Sequence, residues 1–316
     1  MIRQGVLLGV MSVLAGCGAG YQAIAAGPDA SATSSARATA RQAPAGFLGA
    51  FSSGGDALTW TQALSALARA DVAYIGEFHD DPATHEFELA TLKALAGAGR
   101  PVALSLEMFE TDVQQTLDAY LAGSIGEAEF LASARPWPNY KTDYRPLVEY
   151  AKAAGIPVVA ANVPRRLASL VAKGGLAAMA GQPDSEKRWS HIPESCPADA
   201  YWKEFEKVAA HPGMPPGAVW KWYEAQCLKD ETMARSIGLA LASRKVLHVN
   251  GAFHSDRGLG TPARVGKWRP GVSEAIATVR PVASVPPALP PDLAGVADSV
   301  IFVKGPAHGG PAPDRI

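Results

Sequence analysis

Three cysteines in 316 residues are too few and too scattered for a thiolate metal centre, and no CxxC spacing occurs to hold one. Charge of one sign is missing as well. Against 30 acidic side chains stand 29 basic ones, giving a formal net charge of -1, and no basic block supplies the electrostatic footprint of a nucleic-acid binder. The chain has no GxSxG elbow, no GxGxxG turn and no P-loop, which removes three common devices for nucleophilic catalysis and phosphate binding. No internal repeat is present. The apolar run over residues 6–14 is too short to cross a bilayer as a mature helix.

That run nevertheless has a reading. Arg3 precedes it and Leu14-Ala15-Gly16-Cys17 closes it, the order of a secretory signal. The LAGC ending resembles a bacterial lipobox, which implies cleavage before Cys17 and lipidation of its sulfur, hence a lipid anchor, most naturally in the outer membrane. Residues 18–46 are rich in Gly, Ala and Ser and too poor in large apolar groups to repay their ordering entropy, so they read as a tether. Roughly 270 residues remain, ample for one large core. Cys196 and Cys227 remain as well, and in an oxidising compartment their pairing is favoured.

From residue 56 the pattern alternates. An amphipathic stretch with Leu58, Leu64 and Leu67 leads to a strand over 72–76, then a helix over 82–98 with Asp81 as its N-cap and Pro82 at its first position. A strand over 102–106 follows, then helices starting near Thr111 and Glu127. The connection ARPWPNYKTDYRP contains three prolines and is irregular. A helix over 147–154 precedes a strand over 156–161. Residues 165–243 turn helical and aromatic, and strands resume over 246–252, 275–282 and 299–303, the last two joined by a proline-rich connection. This order predicts an α/β fold: a mostly parallel sheet flanked by helices, with a smaller inserted helical subdomain. The α/β part covers 47–164 and 244–305, the insert covers 165–243, and 306–316 is a loose tail.

Three strand runs end in polar groups: YIGEFHDDPATH, PVALSLEMF and HVNGAFHSD. They bring Glu77, His79, Glu107 and His254 to the rim where parallel sheets place their sites, with Asp80, Asp81, His85 and Asp256 near by. Such a set suits a divalent metal or the acid–base work of a metal-dependent hydrolase; hydrogen bonding that merely ties the loops is the plain alternative. Tyr140 and Tyr144 flank Lys141 in the proline-stiffened connection, and a phenolate is a known axial ligand of ferric haem, although aromatics in such loops more often just pack. His191 and His211 read as surface residues. Met108 and Met233 read as core filler.

Taken together, IGEFHDDPATH, LEMFETDVQQTLDAYLAG, WPNYKTDYRPLVEYA, VVAANVPRRL, CLKDETMA and HVNGAFHSDRGLGTP resemble the ChaN family of bacterial haem-binding lipoproteins. The resemblance implies an α/β domain that binds haem through a tyrosine, with His and Lys contacts to the propionates, a haem-linked homodimer, and service in haem and iron uptake beside an outer-membrane haem receptor. Tyr140 is the favoured haem-iron ligand because Lys141 adjoins it. Tyr144 comes second, and Tyr201 and Tyr223 stay open. His79 and His254 match further motif positions. The wider group includes TraB, PrgY and Tiki proteins, and its GxxH motif resembles residues 76–79; through the Tiki branch it implies metal-dependent proteolysis by Glu77, His79, Glu107 and His254.

Overall fold

The computed structural model describes residues 42–210 and 215–305. The signal segment with Cys17, most of the tether, His211 and the tail 306–316 lie outside them. Among the described residues eight strands form one sheet in the order β2-β1-β8-β7-β3-β6-β4-β5. They are β1 Phe47–Ser52, β2 Ala57–Leu58, β3 Val72–Glu77, β4 Val102–Glu110, β5 Val158–Asn162, β6 Lys245–Gly251, β7 Glu274–Val282 and β8 Ser299–Lys304. From β8 to β5 every pairing is parallel, while β1 pairs antiparallel with β8 and with β2.

The helices of eight residues or more are α1 Trp60–Arg69, α2 Pro82–Ala96, α3 Gln114–Leu121, α4 Glu127–Ala134, α5 Arg145–Ala153, α6 Arg165–Gly174, α7 Ala200–Ala209, α8 Ala218–Ala240 and α9 Thr261–Trp268. Asp81 caps α2 as its sequence predicts, accepting the Thr84 N–H at 2.8 Å, a bond worth about 1 kcal/mol. Behind that cap Phe87, Leu92 and Leu95 are fully buried, each contributing about 1.5–3 kcal/mol of apolar burial. They join Ala73, Ile75, Leu104, Leu106, Leu247 and Val249 in the main core, together with residues of α1 and α3 to α5. On the opposite face Val72, Tyr74 and Val246 pack against Ala234 and Ile237 of α8 and Val265 of α9. The sheet is therefore covered on both sides, as parallel sheets require.

Several expectations shift. The strand at 102 runs on to Glu110 through an irregularity between Leu106 and Glu110, so Glu107 sits inside the strand. Leu58 belongs to the edge strand β2, and α1 begins only at Trp60 behind a Thr59 capping box. The 135–144 connection is irregular as its prolines dictate, and Met108 and Met233 are core residues. His191 is half-buried, its ring packed edge-on against Trp268 at 4.6 Å. Cys196 and Cys227 are disulfide-bonded, with Cα atoms 6.0 Å apart.

Candidate functional site

Successive strand residues face opposite sides of a sheet, and this alternation divides the predicted polar set. Glu77 shares parity with Ala73 and Ile75 and points into the side covered by α2 and α5. Glu107 shares parity with Ser105, whose hydroxyl meets His248 on the side covered by α8. The four groups expected in one centre thus form two pairs on two faces. Each pair recruits partners from helices.

The first pair lies beside the 135–144 turn. Glu77 Oε1 pairs with His79 Nδ1 at 2.5 Å and accepts the Tyr144 hydroxyl at 2.6 Å. Its Oε2 lies 3.4 Å from His85 Nδ1, which is 3.0 Å from Glu88 Oε2. His85 Nε2 faces Asp143 at 3.7 Å, and Asn139 donates to both Asp143 and the His79 carbonyl. Burial alone would raise Glu77, but hydrogen bonds with Glu88 and His79 and the charges of His85 and His79 hold it at about 2. Burial and the Glu77 charge push Glu88 well up. Burial opposes the charged form of His85, yet Glu88, Glu77 and Asp143 together raise it to about 10. Of the two facing carboxyls, Glu88 is thus the one more readily protonated.

The second pair ties α8 to the strand ends. Glu107 Oε2 accepts the Gly251 N–H at 2.8 Å and Oε1 lies 3.4 Å from His254 Nε2. His254 Nδ1 pairs with Asp230 Oδ1 at 2.8 Å, and Asp230 also accepts the hydroxyls of Tyr201 and Thr261 at 2.7 and 2.8 Å. Burial would raise Asp230, but the charge and hydrogen bond of His254, then Arg264 and Tyr201, keep it low. His254 and Glu107 are each 1 % exposed.

Also on the α8 side, beyond the carboxyl ends of β3, β6 and β7, a cleft of about 690 Å³ opens between α7 and the proline-rich connection. This is the size of a small-molecule site. Phe78, Phe253, Leu259 and Val296 line it, together with the cations Arg257 and Arg280 and the carboxylates Glu204, Asp256 and Asp292. Arg280 is held by Asp256 at 2.6 Å. Arg257 adopts a left-handed backbone (φ 60°) and donates to the carbonyls of Asp292 and Ala294. Of the four tyrosines singled out in the sequence, Tyr201 lines this cleft, with its hydroxyl committed to Asp230.

Tyr140 and Tyr144 belong to the main core on the other face. The Tyr140 hydroxyl is buried without a hydrogen-bond partner, between Phe109 and Phe130, and burial pushes it above the usual phenol range. The neighbouring Lys141 is exposed.

Glu88, Asp143, Asp230 and Arg280 escaped the sequence reading. Glu88 follows His85 by three residues, one helical turn, which was the available signal. Asp230 sits in the charged triplet Lys229-Asp230-Glu231, and all three are buried. Arg280 lies inside β7, where a charge in a buried strand marks a paired group.

The profile of a family described as haem-binding uptake, Tiki superfamily, ChaN, matches residues 63–265. In structure the chain is similar to ChaN of Campylobacter jejuni, described for cofacial heme binding. The TM-score is 0.61 at 17 % identity, with 82 % of this chain and 98 % of that one covered. The type III effector HopBA1 follows at a TM-score of 0.43 and 13 % identity, with 78 % and 93 % covered. In sequence the chain is 24 % identical over 236 residues to the chloroplastic protein RETICULATA-RELATED 5 of Arabidopsis thaliana, which takes in 68 % of this chain. The chain spans about a third of that relative's length (32 %).

Proposed function

The chain belongs to the ChaN family of the Tiki superfamily, a haem-binding uptake family, and on that premise we propose that it binds haem in the cleft at the carboxyl rim of the sheet. The observation that carries the reading is one opening of about 690 Å³ with apolar, partly aromatic walls, Phe78, Phe253 and Leu259, in which Arg257 and Arg280 stand among the carboxylates of Glu204, Asp256 and Asp292. Flat apolar walls suit the macrocycle. Guanidinium forks suit the propionates. Bound haem supplies a ferric centre for an oxygen or nitrogen donor. Tyr201 is the tyrosine on the cleft wall, so its phenol is our first choice of donor; Tyr140 and Tyr144 would reach iron only if the 135–144 turn swung outward.

The cleft is open on one side, so a second protomer that covers the exposed face would bind the haem-loaded form preferentially and make the dimer haem-linked. We place the protein at the cell envelope, anchored through lipid on Cys17, in haem and iron uptake beside an outer-membrane receptor. The residues around Cys17 support that placement.

Hemin titrated into folded protein lacking the signal segment is expected to give a Soret shift that saturates stoichiometrically and a rise in sedimentation coefficient. Arg280→Ala should weaken both, and Tyr201→Phe should change the ferric spectrum while Tyr140→Phe and Tyr144→Phe leave it. No Soret shift would end the haem reading. Loss of the spectrum in Tyr140→Phe alone would move the haem to the opposite face of the sheet.

A further inference from the structure

The cluster on the α2 side of the sheet carries an inference independent of haem. Glu77, His85 and Glu88 are buried, at 2 %, 6 % and 0 % exposure, and one ligand atom from each lies within 4.8 Å of the others. Glu77 Oε2 and Glu88 Oε1 are buried with no donor unless a proton lies between the two carboxyls. Two facing carboxyls in a dry interior are an unusual concentration, because buried polar groups are nearly always satisfied. Two carboxylates side by side in a dry interior need a proton or a cation between them.

We propose that Glu77, His85 and Glu88 form a buried site for a first-row divalent cation. One imidazole and two carboxylates are the donor set of zinc, cobalt or manganese. The spacings of 3.0 Å from His85 Nδ1 to Glu88 and 3.4 Å to Glu77 leave room for one small ion among the three donors. Surrounding groups are arranged as supports. Tyr144 and His79 hold the other oxygen of Glu77, which leaves Oε2 to face the ion. Asp143 stands behind His85 on its Nε2 side at 3.7 Å, the position from which a carboxylate orients a metal-bound imidazole. Asn139 in turn fixes Asp143 at 2.8 Å. Asp143 is 12 % exposed at its side chain, so the cluster touches solvent at that end. Binding would release the proton that the carboxylate pair holds.

The test uses haem-free protein stripped with a chelator and titrated with Co2+, whose d–d absorption reports nitrogen and oxygen coordination. One equivalent of bound Co2+, displaced by Zn2+, is expected, together with a rise in Tm on metal addition. Glu88→Gln and His85→Gln should abolish the bands with the far-UV circular dichroism unchanged. Asp143→Asn, at the surface end, should keep the fold and weaken affinity by about 10- to 100-fold, the usual effect of removing such a support. Folded wild-type protein that takes up no Co2+ overturns the site, as does binding that survives Glu88→Gln. Neither result bears on the hemin titration, because the cleft lies on the other face of the sheet.

Discussion

Gly76 shows how little space the strand ends allow. A Cβ there would meet Ser255 Oγ at 2.8 Å and Ala252 Cα at 3.0 Å, so the chain after β6 can cross β3 only over a glycine. Its neighbour on the same face, His248, is fully buried with Nδ1 on Ser105 Oγ at 2.9 Å and Tyr74 edge-on at 6.0 Å. Burial, reinforced by the His254 charge and opposed by Asp230, pushes His248 down to about 3. A base whose folded pKa lies below its unfolded value favours the folded state when neutral. That contribution is present above about pH 6.5 and is lost as the pH falls from 6.5 toward 3. In urea unfolding followed from pH 7 to pH 5, His248→Gln should show a shallower fall in stability than wild type, by up to one proton or about 1.4 kcal/mol per pH unit. Equal slopes would mean that His248 titrates normally in the folded protein.

Helix α8 ties several parts of the molecule together. It packs on the sheet through Ala234 and Ile237, on α6 through Ala225 and Leu228, and on α7 through Tyr223. Asp230 links it to His254, and the Cys196–Cys227 disulfide links it to the segment before α7. With the two cysteines 31 positions apart in sequence, the crosslink removes enough unfolded-state entropy to be worth about 3 to 4 kcal/mol in the chain-entropy model. The Cys196→Ser/Cys227→Ser double variant should lose that much in equilibrium unfolding, with the largest gain in hydrogen exchange over 188–230. A midpoint equal to wild type would show that the surrounding aromatic packing, not the crosslink, holds this region.

The whole molecule places a cleft on one face of its sheet and a buried acidic–histidine cluster on the other, while no helix of the described residues is long and apolar enough to cross a membrane. Membrane attachment in our proposal therefore rests on Cys17. Expressed with its signal in a bacterial host, Cys17→Ser should move the protein from the detergent to the aqueous phase in phase partition and leave its unfolding curve unchanged. Partition that ignores the substitution would refute the lipid anchor.

Local chemistry made much of the fold legible in advance. The strand and helix alternation, the Asp81 cap and the irregular proline-rich turn each follow from a few neighbouring residues, because period and capping are local properties, whereas the pairing of the two late cysteines was favoured only by an oxidising compartment. The edge pair β1–β2 was not legible, since a short Gly- and Ser-rich segment becomes strand only when β8 offers an edge to bind. Nor was the division of the polar set. Glu77 and Glu107 both end apolar runs, and which face each one meets depends on strand register and on where β4 bends, quantities that exist only once β3, β6 and β4 are paired. Glu88 and Asp230 look like ordinary helix charges until packing buries them. The sequence thus named the chemistry of the rim, and the assembled sheet chose its partners, because side-chain direction in a sheet is set by pairing across strands rather than by order along the chain.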